Sequence, residues 1–182
     1  MLGYGVLLDR GKGKDSYRSH RFSQAYASLG VGVLFDDGGS DSYTCESTCQ
    51  ATSVSGLALL IDGGGDDTYR AFQGAQSFAQ VSGFSLLHDR DGSDAYELVP
   101  REPFLFPWFS GYPNNLSRGQ GAATGWRRDG VQLGGGVAVL RDASGDDRYR
   151  AAVMAQGNGY WFGFGVLADG AGNDEYDLVA YG

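Results

Sequence analysis

The sequence has only two histidines, two methionines and two cysteines in 182 residues, and just two of its basic residues, Lys12 and Lys14, are lysines. Each shortage excludes something. Fourteen basic residues against 22 acidic ones leave a net charge of −8, and they are scattered, so there is no basic face for nucleic acid. No apolar run approaches the 18 or so residues of a membrane-spanning helix. The N-terminal stretch MLGYGVLLDRGKGK does not read as a signal peptide, because its short apolar run precedes its positive charges. No G-x-S-x-G elbow, HExxH pair or phosphate-binding P-loop occurs. Glutamate is scarce as well: 18 of the 22 acids are aspartate, a residue of turns and hard-metal sites rather than of helix surfaces.

What is abundant is glycine, with 31 residues, and tyrosine plus phenylalanine, with 21. They are ordered. The pattern Asp-x-x-Gly-x-Asp-x-Tyr occurs at Asp36 to Tyr43, Asp62 to Tyr69, Asp89 to Tyr96, Asp142 to Tyr149 and Asp169 to Tyr176, and Asp9 to Tyr17 is a sixth copy with one extra residue. Successive tyrosines are 26, 26, 27, 53 and 27 residues apart, so one repeat is enlarged by about a further period. Gln24, Gln50, Gln76 and Gln156 each follow a tyrosine by seven residues, with Gln120 as the displaced copy in the enlarged repeat. An aliphatic segment precedes each first aspartate: GVGVLFD, SGLALLID, SGFSLLHD, GGVAVLRD and GFGVLAD.

A period of 26–27 residues broken by glycine every few positions suits short strands and tight turns, not helices. The residues after each tyrosine alternate. Arg18, Thr44, Arg70, Glu97, Arg150 and Asp177 form an outward row, and Ser19, Cys45, Ala71, Leu98, Ala151 and Leu178 an inward one. The expectation is a single all-β domain over 1–182. It is a parallel β-solenoid, β-helix-like or β-roll-like, of about six 26–27-residue coils, with one large inserted loop at 97–134. Stacking predicts a glutamine ladder between coils and a tyrosine column in the core. Its repeating ends make end-to-end self-association an expectation.

Stacking also sets two aspartate rows one strand spacing apart: Asp9, Asp36, Asp62, Asp89, Asp142 and Asp169, then Asp15, Asp41, Asp67, Asp94, Asp147 and Asp174. Bare neighbouring charges at that spacing repel by roughly 3 kcal/mol. Either the carboxylates cap backbone amides or cations lie between the rungs. Oxygen-rich loops with glycine suit calcium better than zinc or copper, and His20 and His88 occupy different places in the repeat.

The segments GGGDDTY (Gly63 to Tyr69), SGDDRY (Ser144 to Tyr149) and GAGNDEY (Gly170 to Tyr176) resemble the glycine-rich nonapeptide of RTX proteins, which forms calcium-filled β-rolls in secreted bacterial proteins. The resemblance covers one loop per coil. It implies calcium at the second aspartate row, an inward tyrosine row, and a secreted or cell-surface location. The loops recur every 26–27 residues instead of every nine, so at most one metal column follows from it.

Cys45 and Cys49 would lie about 13 Å apart on an extended strand, beyond the reach of a disulfide, whereas a turn within ESTC would bring them together; two core thiols and a bridge both fit. The segment from Glu97 to Gly134 breaks the repeat. It holds all four prolines (Pro100, Pro103, Pro107 and Pro113) and two of the three tryptophans. A lid over one face is one reading. A recognition surface for a glycan or protein, bordered by Trp108, Phe109, Tyr112 and Arg127, is the other. The resulting expectation is a calcium-stabilised structural or ligand-binding module. The alternative is a glycan-active or other hydrolase or lyase that draws on Asp89, Asp94, Asp129, Asp142, Arg127 and Arg128 beside the loop.

Overall fold

The structure, a computed structural model, describes residues 3–98, 116–128 and 130–182. It is a parallel β-solenoid of about six coils, with no helix among the described residues. A coil has three sides. The first side is formed by β1 (Tyr4–Leu8), β4 (Val31–Phe35), β7 (Leu57–Ile61), β10 (Phe84–Asp89), β16 (Val137–Asp142) and β19 (Phe164–Ala168). The second contains β2 (Ser16–Arg18), β5 (Ser42–Thr44), β8 (Thr68–Ala71), β11 (Ala95–Leu98), β17 (Arg148–Ala155) and β20 (Glu175–Ala180), and β12 (Leu116–Gly119) pairs with the far half of β17. The third contains β3 (Tyr26–Ser28), β6 (Thr52–Val54), β9 (Phe78–Gln80), β13 (Ala122–Thr124) and β18 (Gly159–Tyr160). A hairpin, β14 (Trp126–Arg128) with β15 (Val131–Leu133), stands apart from the three.

Register is held because identical positions stack. On the first side Leu34, Leu60, Leu87 and Leu140 pair in one buried row and Gly32, Ala58, Ser85 and Ala138 in another. Sliding the register by one residue would turn the leucines outward. On the second side Tyr17, Tyr43, Tyr69, Tyr96, Tyr149 and Tyr176 form one column with ring centroids 4.7 to 5.0 Å apart and planes within 8° of parallel. Tyr96 pairs directly with Tyr149, so the enlarged repeat leaves the stack unbroken. The inward row expected after each tyrosine is the second core cluster, with Cys45, Ala71, Leu98 and Ala151 buried. The outward row carries cross-coil ion pairs, Arg70 to Glu97 at 3.0 Å and Arg150 to Asp177 at 3.4 Å.

The span 97–134 contains coil structure. Glu97 and Leu98 complete β11, and residues 116–124 return to the solenoid as the rest of the fourth coil. Residues 99–115 lie outside the described residues, and the β14–β15 hairpin departs from the coils. Cys45 and Cys49 are joined in a disulfide across a Cα separation of 6.7 Å. The extended spacing does not apply because Thr48 turns the chain with φ at +56°, supplying the turn within ESTC.

Candidate metal centre

Each Asp-x-x-Gly-x-Asp loop connects the first side of a coil to the second. The first aspartate ends its strand with the side chain turned inward; Asp36, Asp62, Asp89 and Asp142 are buried. One oxygen, Oδ1, accepts the N–H two residues on, from Gly38 to Asp36 at 3.0 Å and from Gly64 to Asp62 at 2.8 Å. The other, Oδ2, accepts a tyrosine hydroxyl from the preceding coil. Tyr43 donates to Asp62 at 2.5 Å, Tyr69 to Asp89 at 2.7 Å and Tyr96 to Asp142 at 2.8 Å. The tyrosine column is therefore not purely apolar packing. It is also a row of donors aimed at carboxylates.

The second aspartates form a continuous chain. Asp15 donates its N–H to Asp41 Oδ1 at 2.6 Å, Asp41 to Asp67 at 2.5 Å, Asp67 to Asp94 at 2.7 Å, Asp94 to Asp147 at 2.8 Å and Asp147 to Asp174 at 3.0 Å. The glycine two residues earlier makes this approach feasible. Gly65 has φ at +132°, and a Cβ there would overlap the Gly39 carbonyl. Amide capping consumes one oxygen of each carboxylate. The remaining Oδ2 atoms of Asp41, Asp67, Asp94 and Asp147 have no hydrogen-bond partner, although these residues are only 2–3% exposed.

These carboxylates gather with those of the first row. Ligand atoms lie within 4.8 Å of one another in five groups: Asp9, Asp15 and Asp36; Asp36, Asp41 and Asp62; Asp62, Asp67 and Asp89; Asp94, Asp142 and Asp147; Asp147, Asp169 and Asp174. All twelve aspartates named from the repeat are thus placed in one column, and Asp36, Asp62 and Asp147 are each shared by two groups. Burial raises the pKa of Asp41 to about 6 and pushes Asp62, Asp67, Asp89, Asp94, Asp142 and Asp147 upward too, with neighbouring carboxylates adding to the effect. A buried carboxylate oxygen without a donor calls for a cation or a proton. These groups could hold a metal ion, and the all-oxygen donor set is that of a hard cation.

Protein-family models, curated proteins and solved structures were compared with the chain, and none matches it. The chemistry of the column therefore rests on its own atoms.

Of the expected ligand surface, Trp108, Phe109 and Tyr112 lie outside the described residues, as does Asp129. Arg127, on β14, places its guanidinium 4.9 Å from the centre of the Trp161 ring, a cation–π contact that pins the hairpin to the fifth coil. Asp89, Asp94 and Asp142 are enclosed in the column rather than presented beside the hairpin. The glutamine row does something the sequence reading did not assign. Each side-chain amide donates to its own coil's tyrosine carbonyl and to a carbonyl of the next coil. Gln50 reaches Tyr43 at 2.7 Å and Arg70 at 3.3 Å, and Gln120 reaches Tyr96 at 2.8 Å and Arg150 at 3.1 Å. One contact, Gln120 to Gln76 Oε1 at 3.1 Å, is of the amide-ladder kind. The five glutamines all have φ between +49° and +54°. Nothing in their side-chain chemistry forecasts that conformation.

Proposed function

We propose that the chain is a calcium-stabilised repeat module that acts as a rigid structural element of a secreted or cell-surface protein. The observation that carries this reading is the row of buried, unpartnered Oδ2 atoms on Asp41, Asp67, Asp94 and Asp147, residues that each share a group with at least two further carboxylates. Calcium accepts dehydrated carboxylate ligation, whereas magnesium keeps several waters that a closed column disfavours. The Cys45–Cys49 bridge supports an oxidising compartment, and the loop-level resemblance to RTX repeats points the same way. Bound calcium would neutralise the column, and its binding free energy would add to folding stability.

The test is thermal unfolding of metal-depleted protein in chelator, then in millimolar calcium or magnesium. A rise in melting temperature of several degrees that saturates with calcium, with a smaller response to magnesium, is the expected result. Identical curves in chelator and calcium would assign the column to shared protons instead.

A second reading is favoured by the hairpin, where Trp126, Val131 and Leu133 are exposed beside the Arg127–Trp161 contact. This surface suits recognition of a glycan or protein ligand. Replacing residues 126–133 with a short linker would abolish such binding and leave the calcium response unchanged.

A further inference from the structure

The first and last coils differ in charge, and their strands on the first side match in sequence. The first coil carries Arg10, Lys12, Lys14, Arg18 and Arg21 against Asp9 and Asp15. From Ala151 onward the chain has no lysine or arginine, and carries Asp169, Asp174, Glu175 and Asp177. The edge strands are nearly the same sentence: β1 reads YGVLL and β19 reads FGVLA, and neither contains a charge or a proline that would discourage edge pairing.

Backbone directions agree. The Gly3 carbonyl accepts from Val31, and the Asp9 N–H donates to Phe35. By the two-residue alternation of a strand, the amides of Tyr4, Val6 and Leu8 therefore face away from the second coil. At the other end the Phe164 N–H donates back to Gly136 and the Gly163 N–H is held by the Tyr160 carbonyl, which leaves the Gly163 carbonyl and the backbone groups of Gly165 and Leu167 facing outward. Side chains at both ends are unusually open, with Tyr4 80% and Phe162 82% exposed. The aspartate–tyrosine pattern also changes at the far end. Tyr176 turns its hydroxyl onto Asp169 of its own coil, at 2.9 Å, where each of the first four tyrosines donates to the next coil.

We infer that the chain self-associates head to tail, the first coil of one copy docking on the last coil of another and continuing both ladders in register. Phe164 to Ala168 pairs with Tyr4 to Leu8 of the second copy, and Tyr176 stacks on its Tyr17. The register that sets Arg150 beside Asp177 then sets Asp177 beside the incoming Arg18, as Arg70 and Glu97 already pair between coils. Tyr176 gains the incoming Asp9 as its cross-coil acceptor. The contact joins two different surfaces and does not close, so it grows linearly. Opposite charges at the two ends favour this polarity over head-to-head contact.

Sedimentation velocity of the full chain across a concentration series, at low and high sodium chloride, tests the inference with calcium constant. A ladder of species extending past the dimer, shortened by salt, is expected. Arg18→Glu should weaken association at least about tenfold at low salt. Val6→Pro removes one outward N–H and no internal hydrogen bond, so it should be monomeric. Added below equimolar amounts, it should shorten wild-type assemblies by capping the end at which its blocked first coil lies. Far-UV circular dichroism and urea midpoints of both variants should match wild type. A monomer at every concentration, an assembly that stops at two copies, or indifference to either folded variant would overturn the inference. Repeating the series in chelator separates it from the calcium reading, because charge and backbone complementarity of the ends do not require the metal.

Discussion

The Tyr69 hydroxyl donates to Asp89 Oδ2 of the following coil at 2.7 Å, with both residues buried. The bond ties the aromatic stack to the carboxylate column, and it accounts for an oddity of composition. Phenylalanine is nearly as common as tyrosine, 10 residues against 11, yet all six stacked positions are tyrosine. Stacking alone would accept either ring. Tyr69→Phe keeps the stack and leaves a buried carboxylate oxygen without its donor. A loss of roughly 1–3 kcal/mol in urea-unfolding stability is expected. A variant as stable as wild type would mean that the hydroxyl contributes nothing to the column.

In metal-free protein the column makes stability fall as pH rises. Asp41, Asp62, Asp67, Asp89, Asp94, Asp142 and Asp147 have folded-state pKa values above the ordinary 3.8; burial places Asp41 at about 6 and Asp67 at about 9. The folded state therefore holds protons that the unfolded state releases near pH 4. Stability is fullest below that point and is lost as pH climbs through the folded values. Urea midpoints in chelator should decline steadily from pH 4 to pH 9, and millimolar calcium should flatten the decline by replacing protons with cations. Midpoints that rise over this range in chelator would show that the carboxylates are stabilised as anions by the protein itself.

Asp67→Asn should separate the two neutralising agents. The variant keeps Oδ1 to accept the Asp41 N–H, and it exchanges the unpartnered Oδ2 for an amide donor facing Asp62 and Asp89. In chelator at pH 8 it should be more stable than wild type by roughly 1–3 kcal/mol, because wild-type Asp67, pushed up to about 9 by burial, must take up on folding a proton that the unfolded chain has released, and asparagine need not. In calcium it should gain less than wild type, because one group has lost an anionic ligand. Calcium titrations followed by thermal melts of both proteins check the crossing. Equal calcium responses would remove Asp67 from the site.

The architecture was readable because a solenoid writes the same contacts several times. A period of 26–27 residues, the six tyrosines and the aspartate rows all stack as their spacing implies. What stayed hidden is whatever depends on a single backbone rotation. Cys45 and Cys49 lie on what reads as a strand until Thr48 enters the left-handed region. The span 97–134 reads as one insertion because Gln120 stands 24 residues after the tyrosine it serves in space, Tyr96, instead of seven. Tyrosine at an apolar position read as core, and its hydroxyl chemistry showed only once the next coil's aspartate was in place.

The disulfide adds a modest constraint. Cys45 and Cys49 are separated by four positions, and a loop that short restricts the unfolded chain by about 2 kcal/mol at most. The matching positions in neighbouring coils are Ala71 and Ala75, both buried, so alanine fits the space. The double variant Cys45→Ala, Cys49→Ala should fold, stack its coils and lose no more than about 2 kcal/mol in urea denaturation. Failure of that variant to fold would make the bridge a requirement for the second coil rather than a brace.

Gln76 offers the sharpest test of what holds one coil to the next. Its amide donates to the Tyr69 carbonyl at 2.8 Å and to the Glu97 carbonyl at 3.1 Å, and it is buried. Truncation to alanine removes both donations and opens a cavity between coils, for an expected loss of roughly 2–5 kcal/mol. Gln76→Glu nearly preserves shape and replaces the donor with a carboxylate facing two carbonyl oxygens and the Gln120 amide. At pH 8 its loss should equal or exceed that of alanine, since the new charge is buried against acceptors, and lowering the pH should recover part of it as the carboxyl protonates and donates again. Simple cavity formation predicts the reverse order, with glutamate the milder change. Urea midpoints of the two variants at pH 5 and pH 8 decide between stapling and filling. If alanine costs less than about 0.5 kcal/mol, the level of an ordinary surface change, the coils are held by their strand ladders and side-chain stacks alone.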